Sequence, residues 1–175
     1  MALSLSTLAD LIGHACVALA PIHALIERHV LDGARVHGDD TTVPLLARGG
    51  TKTARLWTYV RDDRPFDGGA PPAAFFKFSR DRQMIHPNKH LAGWQGVLQS
   101  DVYGGYNDLY RADRRPGPVK SALCWSHARR KFFELHATNK SQLAEQALRY
   151  IQLLYEIEHE VRDLKLDLRR RIRQE

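Results

Sequence analysis

The stretch GVLQSDVYGGYNDLY, Gly96 to Tyr110, sets an apolar run against a carboxylate and then a glycine pair between tyrosines. Val97 and Leu98 read as a buried strand, Asp101 stands at its end, and the segment after it reads as a sharp turn followed by a helical turn or two. A partly buried carboxylate must be paired, hydrogen-bonded or metal-bound, because losing its water without compensation is costly. The partner of Asp101 therefore has to come from elsewhere in the chain.

Upstream, residues 34–46 (ARVHGDDTTVPLL) carry β-branched residues in partial alternation, and residues 53–60 (TARLWTYV) and 73–79 (AAFFKFS) repeat the strand pattern. Gly49-Gly50 gives the first turn and RDDRPFDGGAPP a surface loop, so three strands in succession predict an antiparallel meander. The pattern then changes. HPNKHLAGW reads as a short helix, GVLQSD as a fourth strand and PVKSALCW as a fifth, with helical spacing in SHARRKFFELHA and again from Ser141 through Ala144, Leu148, Ile151, Tyr155 and Leu164. At the N-terminal end, Leu5, Leu8, Ile12, Ala15, Leu19, Ile22 and Ile26 mark an apolar helical stripe, capped by Ser4 or Ser6 and kinked or restarted at Pro21. The simplest role of that stripe is packing on its own domain; oligomerisation is the other. A meander followed by alternating helix and strand predicts a mixed α/β sheet with helices outside it.

The chain has 175 residues, 43% of them hydrophobic and 26% charged, which excludes a disordered polymer and leaves room for one domain with a helical appendage. Its 26 Lys+Arg against 20 Asp+Glu give a formal charge of +6, a balance that favours polyanionic partners without naming one. Two distant cysteines, Cys16 and Cys124, argue against a disulfide framework and fit a reducing cytosol. The apolar start lacks a basic leader, and Asp10, His14 and Pro21 break it up, so the reading is a cytoplasmic protein with no membrane span.

Two of the expected strands end in acids, the first at Asp39-Asp40 and the fourth at Asp101. If these strands are neighbours, the carboxylates converge at one end of the sheet and repel unless a cation or proton lies between them. A hard divalent ion such as Mg²⁺, held by one or two carboxylates and water, takes that place readily. The competing reading is that strand-end aspartates are turn residues and caps, the role expected of Asp62, Asp63, Asp67 and Asp81.

HGDDTTVPLL, GGTKTARLWTYVRDDRP, HLAGWQGVLQSDVYGGYNDLY, CWSHARRKFFEL and ALRYIQLLYEIEHEVR resemble, in order and spacing, the central part of insertion-sequence-66-type transposases, over nearly the whole chain. That family belongs to the DDE transposases, and the resemblance implies a ribonuclease H-like core: a five-stranded mixed sheet flanked by helices, with acids on the first strand, the fourth strand and a late helix. It implies that Asp39 and Asp101 are the first two catalytic acids and hold Mg²⁺ or Mn²⁺ for DNA strand cleavage and transfer. Asp40, by strand alternation, should point to the opposite face. The implied organisation is an N-terminal helical segment (1–32), the incomplete core (33–138) and the start of a helical insertion (139–175). No counterpart of the third acid, a downstream glutamate, occurs, so the resemblance implies a truncated copy with that acid beyond Glu175. Glu134, on the helix after the fifth strand, is the best substitute present. The partners implied are DNA, both transposon ends and target, and a second copy or an intact transposase. The alternative function is a non-catalytic DNA-binding or transposase-interacting remnant.

Arg129, Arg130 and Lys131, at the start of a helix near the acids, suit a phosphate backbone; a solvated basic face is the plain alternative. Arg111, Arg114, Arg115 and Lys120 form a second basic patch with the same two readings. Cys124 and His127 have Cys-x-x-His spacing, but zinc needs four ligands and no second cysteine pair exists. His127 lies in a family motif and so near the expected site. YGGYN has the wrong spacing for a phosphate loop. Trp57, Tyr59, Phe75, Phe76 and Phe78 read as core, and Arg169, Arg170, Arg171 and Arg173 as an exposed, frayed end.

Overall fold

The computed structural model describes residues 3–175. Helix α1 (Leu5–Leu31) leads into β1 (Arg35–Ala47), β2 (Gly50–Arg61) and β3 (Ala73–Ser79), then α2 (Ile85–His90), β4 (Val97–Ser100), a 3-10 segment (Gly104–Tyr110), β5 (Lys120–Leu123), α3 (Trp125–Asn139), α4 (Gln142–Glu160) and α5 (Leu166–Ile172). The sheet order is β3-β2-β1-β4-β5. β1, β2 and β3 pair antiparallel, while β4 lies parallel to β1 and β5 parallel to β4. This is the five-stranded mixed sheet with helices outside that the sequence predicts.

The first turn of the meander suits its residues. Between β1 and β2, Gly49 takes φ +85°, a conformation that glycine reaches without a Cβ clash. One face of the sheet supplies the core, through Val36, Trp57, Tyr59, Phe75 and Leu98, against Leu91, Trp94, Tyr106, Leu109 and Val119. The polar ends of the large rings are satisfied: Trp57 Nε1 donates to Ser79 Oγ at 2.7 Å and Trp94 Nε1 to the Gly33 carbonyl at 2.9 Å. Phe76 and Phe78, expected in the core, are 49% and 54% exposed. They alternate with Phe75 and Lys77 along β3 and so occupy the other face.

Helix α1 is one continuous helix capped by Ser4, whose hydroxyl accepts from Thr7 N at 3.1 Å, and Pro21 lies inside it without ending it. Its stripe does not pack on the sheet along its length. Only Val30 is buried, while Leu5, Leu8, Ile12, Leu19 and Ile22 are exposed. The C-terminal half is what docks: His23 bonds the Phe76 carbonyl, Glu27 takes Lys77 at 2.6 Å, His29 bonds the Pro71 carbonyl, and Arg61 donates to the His29 carbonyl. Although Asp10, His14 and Pro21 interrupt its apolar run, α1 is long and apolar enough to cross a membrane by length and composition.

The C-terminal arginines are not a frayed end. Arg169 is 8% exposed and donates to the Pro65 carbonyl at 2.7 Å, and Arg173 grips Glu158 through two 2.6 Å bonds that tie α5 to α4. Glu145 pairs with Arg149 one turn on, as expected of a solvated helix face.

His90, on α2, bonds the Tyr59 hydroxyl at 3.0 Å. Burial, then the charges of Lys77 and His86, push its imidazole down to about 4, with Glu27 opposing. The unfolded chain therefore binds the proton first as pH falls, and stability is lost between about pH 6.5 and pH 4. Thermal melting across that window should show a falling midpoint for the wild type and a flatter profile for His90→Gln. Identical profiles would remove His90 as the source.

A carboxylate cleft at the end of β1 and β4

The parallel register pairs Arg35 with Val97, Val36 with Leu98 and His37 with Gln99. Continued for two residues, that register would set Asp39 level with Asp101, but the ladder ends at His37 and Gln99, and the Asp101 carboxylate turns to Arg82, on the Asp40 side. The strands part there: β4 ends at Ser100, whereas β1 runs on to Ala47, so Asp39-Asp40 lie inside β1 and not at its end.

Each aspartate finds a different partner. Asp40 points away from Asp39 as strand alternation requires, and its side chain is 1% exposed. Arg55 donates to it at 3.1 Å, and Arg82 forms a two-nitrogen grip at 2.9 and 2.7 Å. Asp101 shares that same arginine, with Arg82 Nη2 3.3 Å from Oδ2, while its Oδ1 accepts the Tyr103 N–H at 3.1 Å. The partner of Asp101 is thus Arg82, a residue of the FSRDRQM segment that no motif or spacing singles out. Burial pulls the Arg82 guanidinium down, but the hydrogen bonds and charge of Asp40, then Asp101, outweigh it and hold the group above its ordinary value. The Tyr103 ring lies 4.0 Å from the Arg82 guanidinium carbon and its hydroxyl bonds the Arg82 carbonyl. The second glycine of the pair now has a reason: a Cβ on Gly105 would sit 2.1 Å from the Tyr103 ring.

Asp39 is 59% exposed and faces His127 of α3, with Nε2 3.8 Å from Oδ2. Two adjoining clefts meet at Ser100, Cys124 and His127. The larger, about 390 Å³, is also lined by Asp101, Arg82, Arg130 and Lys131; the smaller, about 160 Å³, by Asp39, His37 and Gln99. His127 is therefore the wall between the two acids. Its Nδ1 is buried without a hydrogen-bond partner. Spacing alone could not have located it, since the contact spans β1 and α3.

The other basic residues separate by neighbourhood. Arg130 and Lys131 reach the cleft, whereas Arg129 lies in a different groove with Glu145 and Arg149 of α4. Glu134 faces Lys131 at 3.2 Å and Arg130 at 3.9 Å and does not line either cleft. Among the described residues no group of three or more His, Cys, Asp and Glu side chains is placed to hold a metal ion. The chemistry of exposed Asp39 and partly exposed Asp101 nevertheless suits one: hard carboxylate oxygens with spare lone pairs match Mg²⁺, which takes one or two carboxylates and keeps water for the rest. Asp40, saturated by two arginines, does not.

Arg114 has left the surface patch. It donates to the carbonyls of Leu91, Ala92, Trp94 and Gly117, and burial pulls its guanidinium below the ordinary value. Arg111 pairs with exposed Asp113.

These features define a mixed α/β protein with an acid-and-arginine cleft at the end of its central parallel strands. The model of the transposase IS66 family matches residues 1–175, and the chain belongs to that family. It is 47% identical to the uncharacterized protein y4hP of Sinorhizobium fredii, over 99% of this chain and 34% of that protein. It is 38% identical to y4qI of the same organism, over 98% and 33%, and 34% identical to y4jD, over 89% and 31%. The chain thus spans about a third of the length of these relatives. No solved structure matches it significantly.

Truncating Arg114 to alanine should lower stability by about 2 kcal/mol by leaving several partly buried carbonyls unpaired, whereas Arg111→Ala should stay within about 0.5 kcal/mol. Urea denaturation of both variants checks this; equal effects would contradict the structural role of Arg114.

Proposed function

We propose that this chain carries the first two acids of a ribonuclease H-like DDE transposase core, acting in metal-dependent DNA strand cleavage and transfer. The observation that supports it most is that Asp39 and Asp101 each lie two residues past the last paired positions of the neighbouring parallel strands β1 and β4, in a chain of a transposase family. A family of transposases implies contact with DNA, and a divalent ion is the group such enzymes generally use.

Asp39 and Asp101 would hold that ion, Mg²⁺ or Mn²⁺. Bound there, it would polarise the scissile phosphate and lower the pKa of an attacking oxygen. The chain's own residues do the rest. Arg82 fixes the Asp101 carboxylate through Oδ2, and the Tyr103 N–H fixes it through Oδ1. Arg130 and Lys131 line the same cleft and suit the DNA backbone, a contact that positions without reading sequence. His127 orients Asp39 by closing its other side. Arg129 lies apart from this cleft and would contribute only at its margin. The third acid belongs to no described residue near the cleft. We assign it to the part of the relatives' length that this chain does not span. The working place of such a protein is the cytoplasm, with access to DNA.

Calorimetric titration of Mn²⁺ into the chain should show one weak site, with affinity falling about tenfold or more in Asp39→Asn and in Asp101→Asn. Equal binding by both variants and the wild type would remove the metal role, and the remnant reading would then replace catalysis.

A further inference from the structure

We infer that the distal half of the β1–β2 hairpin is a ribbon that lies along duplex DNA, a reading that rests on the proposed DNA cleft. The sheet partners of this hairpin stop early. β4 pairs with β1 only to His37, and β3 pairs with β2 only from Arg55, so Thr42–Ala47 and Gly50–Ala54 extend past both neighbours as two strands alone. At about 3.3 Å per residue the projection is on the order of 20 Å long, and isolated two-stranded ribbons are marginal in water unless they lie against something.

Its chemistry selects the partner. Residues 41–54 contain Arg48 and Lys52 and no acid, with threonines at 41, 42, 51 and 53. Arg55 at the base is held by Asp40, whereas the exposed Arg48 and Lys52 make no ion pair among the described residues. Two uncompensated cations and four hydroxyls match phosphate oxygens. Pro44, which lacks an N–H, makes the ribbon edge a poor template for an added protein strand. A two-stranded ribbon, its strands about 4.8 Å apart, enters a major groove about 12 Å wide.

The register also fixes which face meets DNA. Asp39 pairs with Thr58 and Leu45 with Lys52, six residues further along β1 and so of the same parity. Lys52 therefore lies on the Asp39 face, about 20 Å from it, or roughly six base pairs along a duplex at the usual rise of about 3.4 Å. A duplex seated at Asp39, Asp101 and Lys131 would continue onto the ribbon, where Lys52 and Arg48 grip its backbone.

The test is fluorescence anisotropy of a labelled 30-base-pair duplex with the whole chain, over a range of salt concentrations. Arg48→Ala/Lys52→Ala should weaken binding about tenfold and reduce the salt slope by about 2, one unit for each phosphate no longer neutralised. Arg48→Glu/Lys52→Glu should weaken it further, and Arg48→Lys/Lys52→Arg should restore it. Unchanged affinity and slope in the alanine pair, with binding abolished in Arg130→Ala/Lys131→Ala, would overturn the ribbon while leaving the cleft intact. A wild-type chain that binds no duplex would overturn both.

Discussion

One guanidinium holds the acid end of this sheet together. Asp40 is buried in the middle of β1, where an uncompensated carboxylate would cost several kcal/mol or stay protonated. Arg55 from the neighbouring strand supplies one cation, and Arg82, just past β3, supplies the second and reaches on to Asp101 after β4. The ion pair therefore joins three segments that the backbone ladder does not join at this level. Tyr103 stacked on Arg82, and Gly105 leaving room for that ring, continue the same contact into the 3-10 segment. With Asp40 neutralised on one face, Asp39 on the other is free of arginine and exposed to the cleft.

The division of labour between adjacent aspartates follows from strand geometry. Alternation sends Asp39 and Asp40 to opposite faces, one toward His127 and solvent, the other into an arginine clamp. That part is legible in the sequence, as are the five strands, their order of type and the helices that begin at Trp125 and Gln142, whereas α5 read as a frayed end. The identity of the Asp101 partner is not. Arg82 is 19 residues from Asp101 in sequence, and local spacing carries no sign of a contact made through the sheet. The same limit explains Arg114 and Arg169, which read as surface charge in the sequence and cap partly buried carbonyls in the fold. Phe76 and Phe78 depart from expectation for a different reason: AAFFKFS is apolar on both faces, so alternation alone does not say which one is covered.

The cleft sets opposite charges side by side. Asp39 and Asp101 stand on either side of His127, while Arg130 and Lys131 form the basic rim. The exposed stripe of α1 and the Phe76–Phe78 face lie away from it. The cleft, by contrast, is walled by this chain's own β1, β4 and α3.

The central claim is that Arg82 and Asp40 act as a pair and not as two independently tolerated charges. A double-mutant cycle of Arg82→Ala, Asp40→Asn and both together, followed by urea denaturation, isolates their coupling. The expected coupling is about 1.5–3 kcal/mol, with the double variant less damaged than the sum of the two single ones. A coupling below about 0.5 kcal/mol, the scatter expected of distant sites, would contradict it.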